Sequence, residues 1–213
     1  MSKKILDGVS HMKQSTVRIQ AEKTAYFDPY EVNGEPKDAD VIFISHSHYD
    51  HFSLKDIKKV YKNDTIVVLP GDCAKKAEKA GVKNILTVLP GRGYEVGGLK
   101  VDTVPAYNVD KRFHKKESNW VGYILNINDV KYYFAGDTDY IPEMKNIKAD
   151  VVLLPVGGTY TMNWKEAVEA ANVIQPQIAV PIHFKDIVGS FEDAENFVRG
   201  INSNIQGVIL KAQ

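Results

Sequence analysis

Six histidines occur in the 213-residue chain, and three of them fall with Asp50 inside six consecutive positions, in the stretch Ser45-His46-Ser47-His48-Tyr49-Asp50-His51. Imidazole nitrogen and carboxylate oxygen are natural ligands of zinc and related divalent ions, and a catalytic site keeps a further position for water. The stretch follows directly on the apolar run Val41-Ile42-Phe43-Ile44. If the backbone stays extended beyond that run, His46 and His48 at i and i+2 point to one side and can grip an ion together. Asp50 and His51 lie where the chain turns away and aim at a neighbouring position, so two adjacent metals are expected. The competing reading is a polar loop of solvated imidazoles. That reading suits a lone histidine better than four ligand-type residues at this spacing.

Two more donors stand just after apolar runs. Asp137 follows Tyr132-Tyr133-Phe134-Ala135-Gly136, and His183 follows Ile178-Ala179-Val180-Pro181-Ile182. Taken singly, Asp137 reads equally as a turn or cap residue and His183 as a core histidine. Their recurrence at strand ends favours the metal reading. Cys73 is the only cysteine, which rules out a cysteine-rich zinc site and an intramolecular disulfide and suits a reducing, cytoplasmic setting. It reads as a small packing residue, not a nucleophile.

These donors need elements to carry them. Alternation over 15–20 and the run 24–27 read as a hairpin, ending at the turn signal Asp28-Pro29; 41–44 reads as a buried strand. Ser53 to Asp56 matches a capping box, with Leu54, Ile57 and Tyr61 at helical spacing. A strand over 65–69, a helix over 72–80 stopped by Gly81 and a strand over 85–88 come next. Strands at 94–96, 99–104, 120–127 and 130–135 are joined by Gly97-Gly98 and Asn128-Asp129 turns. The runs 151–154, 178–180 and 207–210 read as strands, and 164–174 and 191–198 as helices. Strands followed by helices, repeated once, predict two sheets packed face to face with helices outside.

Composition sets the frame. Hydrophobic residues make up 44% and charged residues 25%, enough for a sizeable core. No linker-like or low-complexity tract divides the sequence, so one domain over 1–213 is expected. With 27 basic and 27 acidic residues the net charge is zero, which argues against a general nucleic-acid binder. The N-terminus, Met1-Ser2-Lys3-Lys4 onward, has a basic start without a long apolar run behind it, and no stretch approaches the ~18 apolar residues of a membrane span.

With these residues in place the chain resembles the metallo-β-lactamase-fold hydrolases. His46-Ser47-His48-Tyr49-Asp50-His51 is similar to their HxHxDH motif, and Phe134-Ala135-Gly136-Asp137-Thr138 and Pro181-Ile182-His183 fall in the order of their later ligand motifs. The Gly-Asp-Thr and Pro-Ile-His-Phe segments look most like the ascorbate-6-phosphate-lactonase-like branch. The resemblance implies an α/β (α+β) architecture, the four-layer αββα sandwich, and two zinc ions, with Mn2+ or Fe2+ as alternatives. It implies that His46 and His48 bind the first metal, that Asp50, His51 and His183 bind the second, and that Asp137 bridges them. Asp28 matches the first acidic motif, a supporting residue; otherwise it is the turn before Pro29.

One part departs from the pattern. A further histidine usually completes the first metal's ligands in the segment that here reads Val104-Pro105-Ala106-Tyr107-Asn108. Asn108 supplies an oxygen, or His114 reaches back from the next loop, or the first site is short of a ligand. Histidine is the better zinc ligand, which favours His114; against it stands a solvated position in a charged loop. The implied activity is hydrolysis of a small ester, lactone or phosphodiester by a metal-activated hydroxide oriented by the catalytic candidates Asp50 or Asp137. The basic loop Lys111 to Lys116 suggests an anionic small-molecule substrate, although such a run is more often just solvated. The segment Val156 to Asn163 reads as a pocket wall through Tyr160 or as a helix connection capped by Asn163. A di-iron redox relative usually carries a flavin-binding domain, for which this length has no room. The remaining alternative is a metal-binding or nucleic-acid-interacting protein of the same fold with lost turnover. Oligomeric state is left open, a homo-oligomer included.

Overall fold

The computed structural model describes residues 5–210. Residues 1–4, which hold the basic start of the chain, lie outside the described residues. Strands β1 (Val9–His11), β2 (Val17–Gln20), β3 (Thr24–Phe27), β4 (Ala39–Phe43), β5 (Tyr61–Pro70) and β6 (Asn84–Val88) form a six-stranded sheet in chain order. Strands β7 (Gly93–Val96), β8 (Leu99–Pro105), β9 (Val121–Ile127), β10 (Val130–Phe134), β11 (Val151–Pro155), β12 (Ile178–Ile182) and β13 (Gln206–Gly207) form a seven-stranded sheet, also in chain order.

Both sheets are mixed, antiparallel over β1 to β3 and β7 to β10 and parallel beyond. Parallel neighbours need crossovers, and helices supply four of them. Helix α1 (Leu54–Val60) joins β4 to β5, α2 (Gly71–Lys79) joins β5 to β6, α3 (Trp164–Ile174) joins β11 to β12, and α4 (Phe191–Gly200) joins β12 to β13.

Period-two alternation sorts the side chains into three apolar layers. Val41 and Phe43 face inward with Phe134, Leu153 and Val180 of the other sheet. Ile42 and Ile44 face outward against Ile57 and Cys73 of α1 and α2. Tyr133, Val152 and Ala179 face outward against Ala167, Ala170, Ala194 and Phe197 of α3 and α4. The result is the four-layer αββα sandwich expected from the sequence. No described helix is long and apolar enough to cross a membrane.

Three details differ from the sequence reading. Strand β1 was not expected; its three residues are too few to carry a period. Tyr61 is not helical: α1 ends at Val60, and Tyr61 is already extended and paired with Ala39 at the start of β5. The strand expected over 207–210 covers only Gln206 and Gly207 in the sheet, although Val208 N still donates to Ala179 O at 3.0 Å. The next donor on that side of β12 is position 181, and Pro181 has no N–H to continue the ladder.

Cys73 is fully buried in α2, and burial pushes its thiol well above the usual range. We expect a thiol reagent to label it only after denaturation, since the thiolate is the reactive form. Stoichiometric labelling of the native protein would contradict this placement.

Candidate metal centre

The site is built where inward-facing aromatic residues clamp the sheets together. Phe27 stacks on Phe43 at 5.0 Å between ring centroids and on Phe134 at 4.8 Å, and Phe43 meets Tyr123 at 5.1 Å. Burying each ring contributes about 1.5–3 kcal/mol. Site segments begin just after these rings: Asp28 directly after Phe27, Ser45 and His46 two and three positions beyond Phe43, Asp137 three beyond Phe134. Two backbone hydrogen bonds close the seam between sheets. Val121 N donates to Ser45 O at 3.1 Å, and His183 N donates to Gln14 O at 2.8 Å. The approach is so close that a Cβ on Gly136, at φ +66°, would stand 2.9 Å from the Ser45 Cβ. Glycine is therefore required just before Asp137.

The donors gather in two groups. Nitrogens of His46, His48 and His114 lie within 4.8 Å of one another, and so do the donor atoms of Asp50, His51 and His183. Asp137 touches both groups. Its Oδ2 is 3.2 Å from His183 Nε2, 3.4 Å from His114 Nε2 and 3.9 Å from His46 Nε2, and its Oδ1 is 3.3 Å from His51 Nε2. His46 Nε2 and His48 Nδ1 are 3.0 Å apart, so the two rings converge although β4 ends at Phe43. Asp28, His46 and His51 also lie close together, but the Asp28 oxygens are already engaged by Ser45 and His51.

Electrostatics follow from burial and sign. Burial would raise the Asp137 carboxyl, but His183 and His51 hold it well below the carboxylate range. Burial would lower His51, yet Asp137 and Asp28 on either side raise it well above an ordinary imidazole. Burial, with His51 beside it, pushes His46 well down; burial and His114 lower His48. Burial would raise Asp50, but His51 beside it, with Nε2 3.3 Å from Oδ2, leaves it lowered. Among the described residues, His51 Nε2, His114 Nε2 and Asp137 Oδ1 are buried without a hydrogen-bond partner. Buried polar atoms normally have partners. Clustered lone pairs of imidazole and carboxylate lacking them fit divalent cations.

A supporting layer orients these groups. Asp28, fully buried, accepts from Ser45 N at 2.7 Å, Ser45 Oγ at 2.5 Å and His51 Nδ1 at 2.7 Å, which leaves His51 Nε2 to face Asp137. Asn108 does the same for His114. Its Oδ1 accepts the His114 backbone N–H at 2.9 Å and lies 3.1 Å from Nδ1, while its Nδ2 donates to Asp139 Oδ1 and Tyr160 O. Of the two residues weighed for the missing position, His114 is therefore the one that meets the donor group, and it is buried where a solvated loop would expose it.

Gln14 and Trp120 were not singled out from the sequence. Gln14 Nε2 donates to Asp50 Oδ2 at 3.1 Å and lies 2.9 Å from His183 Nε2. Trp120 lies 4.9 Å from His46 and from His48, and its Nε1 donates to Asp72 Oδ2 at 2.9 Å. Composition carried no signal for either.

The loop after Tyr107 divides differently from its charge pattern. Lys111 Nζ is bound to Asp139 at 2.5 Å and Lys116 Nζ to Glu143 at 2.9 Å, so neither is free to draw an anion inward. Phe113 and His114 of that loop line the cavity beside the donors, about 220 Å³ in volume. The 156–163 segment does both things expected of it. Tyr160 lines the cavity, and Asn163 caps α3 in a capping box with Glu166. Its Gly157 is needed for packing, because a Cβ there would stand 2.4 Å from His183 O.

Residues 9–183 match the Beta-lactamase superfamily domain. A UPF0173 metal-dependent hydrolase of Methanopyrus kandleri is 32% identical over 205 residues, covering 86% of this chain and 87% of the relative. A crystal structure from Parabacteroides distasonis, 29% identical, superposes with a TM-score of 0.81 over 96% of this chain and 93% of that one. Igni18, a metallo hydrolase from Ignicoccus hospitalis, shares the fold at 20% identity, with a TM-score of 0.78 over 95% and 94% of the two chains. The chain belongs to the Beta-lactamase superfamily and, within it, to the UPF0173 group of metal-dependent hydrolases.

Proposed function

We propose that the chain is a two-metal hydrolase of a small ester, lactone or phosphodiester, acting as a single cytoplasmic domain. In this reading His46, His48 and His114 hold one ion, Asp50, His51 and His183 hold the other, and Asp137 reaches both. Divalent ions supply Lewis acidity there and bring the ionisation of water from ~15.7 towards about 7. Zinc suits the nitrogen-rich donors, with Mn2+ or Fe2+ as alternatives. Asp50 and Asp137 both line the cavity and are held ionised by neighbouring imidazoles, so each can orient an attacking water through a charged oxygen. Gln14 fixes the Asp50 carboxylate, and Asp28 fixes the His51 ring.

The observation that carries the reading is the buried set of unpartnered donors, His51 Nε2, His114 Nε2 and Asp137 Oδ1. The lost-turnover alternative drew its motive from a missing histidine; His114 Nε2, 3.4 Å from Asp137 Oδ2, supports the two-metal reading instead. Resemblance to the ascorbate-6-phosphate-lactonase-like branch supports a lactone among the candidate substrates.

The test is metal analysis of purified protein with assays on ester, lactone and phosphodiester panels. We expect two ions per chain and turnover on at least one panel. Absence of both after reconstitution would refute the reading. His114→Ala should hold one ion per chain and lose about 10²-fold or more in kcat/KM. Asn108→Ala, which frees the ring and also releases the His114 N–H, Asp139 and Tyr160 O, should lose about 10-fold. Unchanged loading of two ions in His114→Ala would remove it as a ligand.

A further inference from the structure

The wall of the cavity facing the donors is apolar, and its composition speaks to substrate class. Tyr49, Phe113, Tyr160 and Ile187 line it beside His48, Asp50, Asp137 and His183. Large apolar side chains seldom stay exposed in a cluster without a use. Here Tyr49 is 66% exposed, Phe113 48% and Ile187 36%, and all three face one opening. Phe113 and Tyr160 brace each other edge to face at 4.6 Å and 89°. The Tyr49 ring is set against Tyr30 at 6.1 Å.

Three of the cationic side chains nearby are tied up in ion pairs, whereas Arg112, Lys115 and Lys185 stay exposed outside the cavity wall. Lys111 is held by Asp139, with Glu166 4.0 Å away; Lys116 is held by Glu143, and Lys13 by Glu31 and Asp186. Among the described residues, neither lysine nor arginine lines the opening. An anionic tail on the substrate would find no cationic side chain in this collar. A cavity of about 220 Å³ also sits below the ordinary range of ligand pockets, about 300–1,000 Å³.

We infer that the substrate presents a compact, uncharged, apolar group, such as a phenyl ring or a short branched chain, to a collar of Tyr49, Phe113, Tyr160 and Ile187, and carries no acidic tail. This rests on the hydrolase reading above. The collar takes the non-reacting part of the molecule, and the donor cluster takes the scissile group. Binding energy from the apolar part then places the scissile bond over the donors.

The experiment uses the metal-loaded protein with two matched esters, phenyl butyrate and monophenyl succinate, which differ in a terminal carboxylate. In parallel, ligand-observed NMR follows N-benzylacetamide and its acidic counterpart N-benzylmalonamate, so that recognition is read without turnover. The neutral member of each pair should be preferred, by about 10-fold or more in kcat/KM and by a clear margin in binding. Phe113→Ala and Tyr160→Ala should each weaken the neutral ligand about 5- to 30-fold, mainly in KM, with metal content unchanged. Arg112→Ala, a change outside the cavity wall, should leave both pairs as they were.

Preference for the acidic members, indifference to Phe113→Ala, or a loss in Arg112→Ala would overturn the inference. Turnover without discrimination would overturn it while leaving the hydrolase reading intact. Collar-dependent binding of N-benzylacetamide with turnover of neither ester would support the collar and count against ester hydrolysis.

Discussion

Asp137→Ala is expected to reduce metal content from two ions per chain to one or none, and to lower kcat/KM on the order of 10³-fold. One carboxylate lies between 3.2 and 3.9 Å from the nitrogens of His46, His51, His114 and His183. Without it those imidazoles have no common anion, and two cations held close together lose the charge that offsets their repulsion. Asp137→Asn keeps the shape and removes the charge, so it separates the electrostatic part from packing. Its metal content should fall nearly as far as that of the alanine variant. Metal analysis, steady-state kinetics and circular dichroism decide the matter. Two ions and activity within 10-fold of the parent, in a folded variant, would show that Asp137 is a bystander.

Asp28→Ala should have the largest effect on stability. The change strips a fully buried site of the acceptor for three donors, the Ser45 N–H, the Ser45 hydroxyl and the His51 ring. Leaving such groups unpaired costs about 3–5 kcal/mol. For a domain of this size that corresponds to a fall in Tm of about 10 °C. The freed His51 ring should also weaken metal binding by about 10- to 100-fold. Calorimetry of metal-free protein isolates the first effect, and competition with a chelating dye isolates the second. A metal-free variant melting within about 2 °C of the parent would mean that Asp28 is merely the turn before Pro29.

The pattern of success in reading this sequence has a physical basis. Features written in neighbouring residues were legible. Gly97-Gly98 and Asn128-Asp129 do form hairpin turns, with φ between +50° and +85°, and Ser53 and Ser190 do cap their helices. The 46–51 cluster was visible for the same reason, since its donors lie within one turn of chain. Asp137 and His183 were legible as strand-end donors, because both follow apolar runs that could only be strands of a core.

Features made by distant partners were not. Gln14 meets Asp50 across 36 positions and His183 across 169, and nothing local marks a glutamine for that task. The charge of the 111–116 loop could not be apportioned from sequence, because the partners of Lys111 and Lys116, Asp139 and Glu143, come from another segment. His114 lay between the two cases. Ligand chemistry favoured it over Asn108, but only the folded loop brings its ring to Asp137.

The two faces of the sandwich contribute unequally to the cage: His46, His48, Asp50 and His51 come from the six-stranded side, His114, Asp137 and His183 from the seven-stranded side. Any ion ligated across that divide acts as a rivet between layers that otherwise meet through apolar contact and a few hydrogen bonds. Bound ions would then add to the stability of the sandwich by mass action, so that metal supply shifts its melting temperature as well as its rate of turnover.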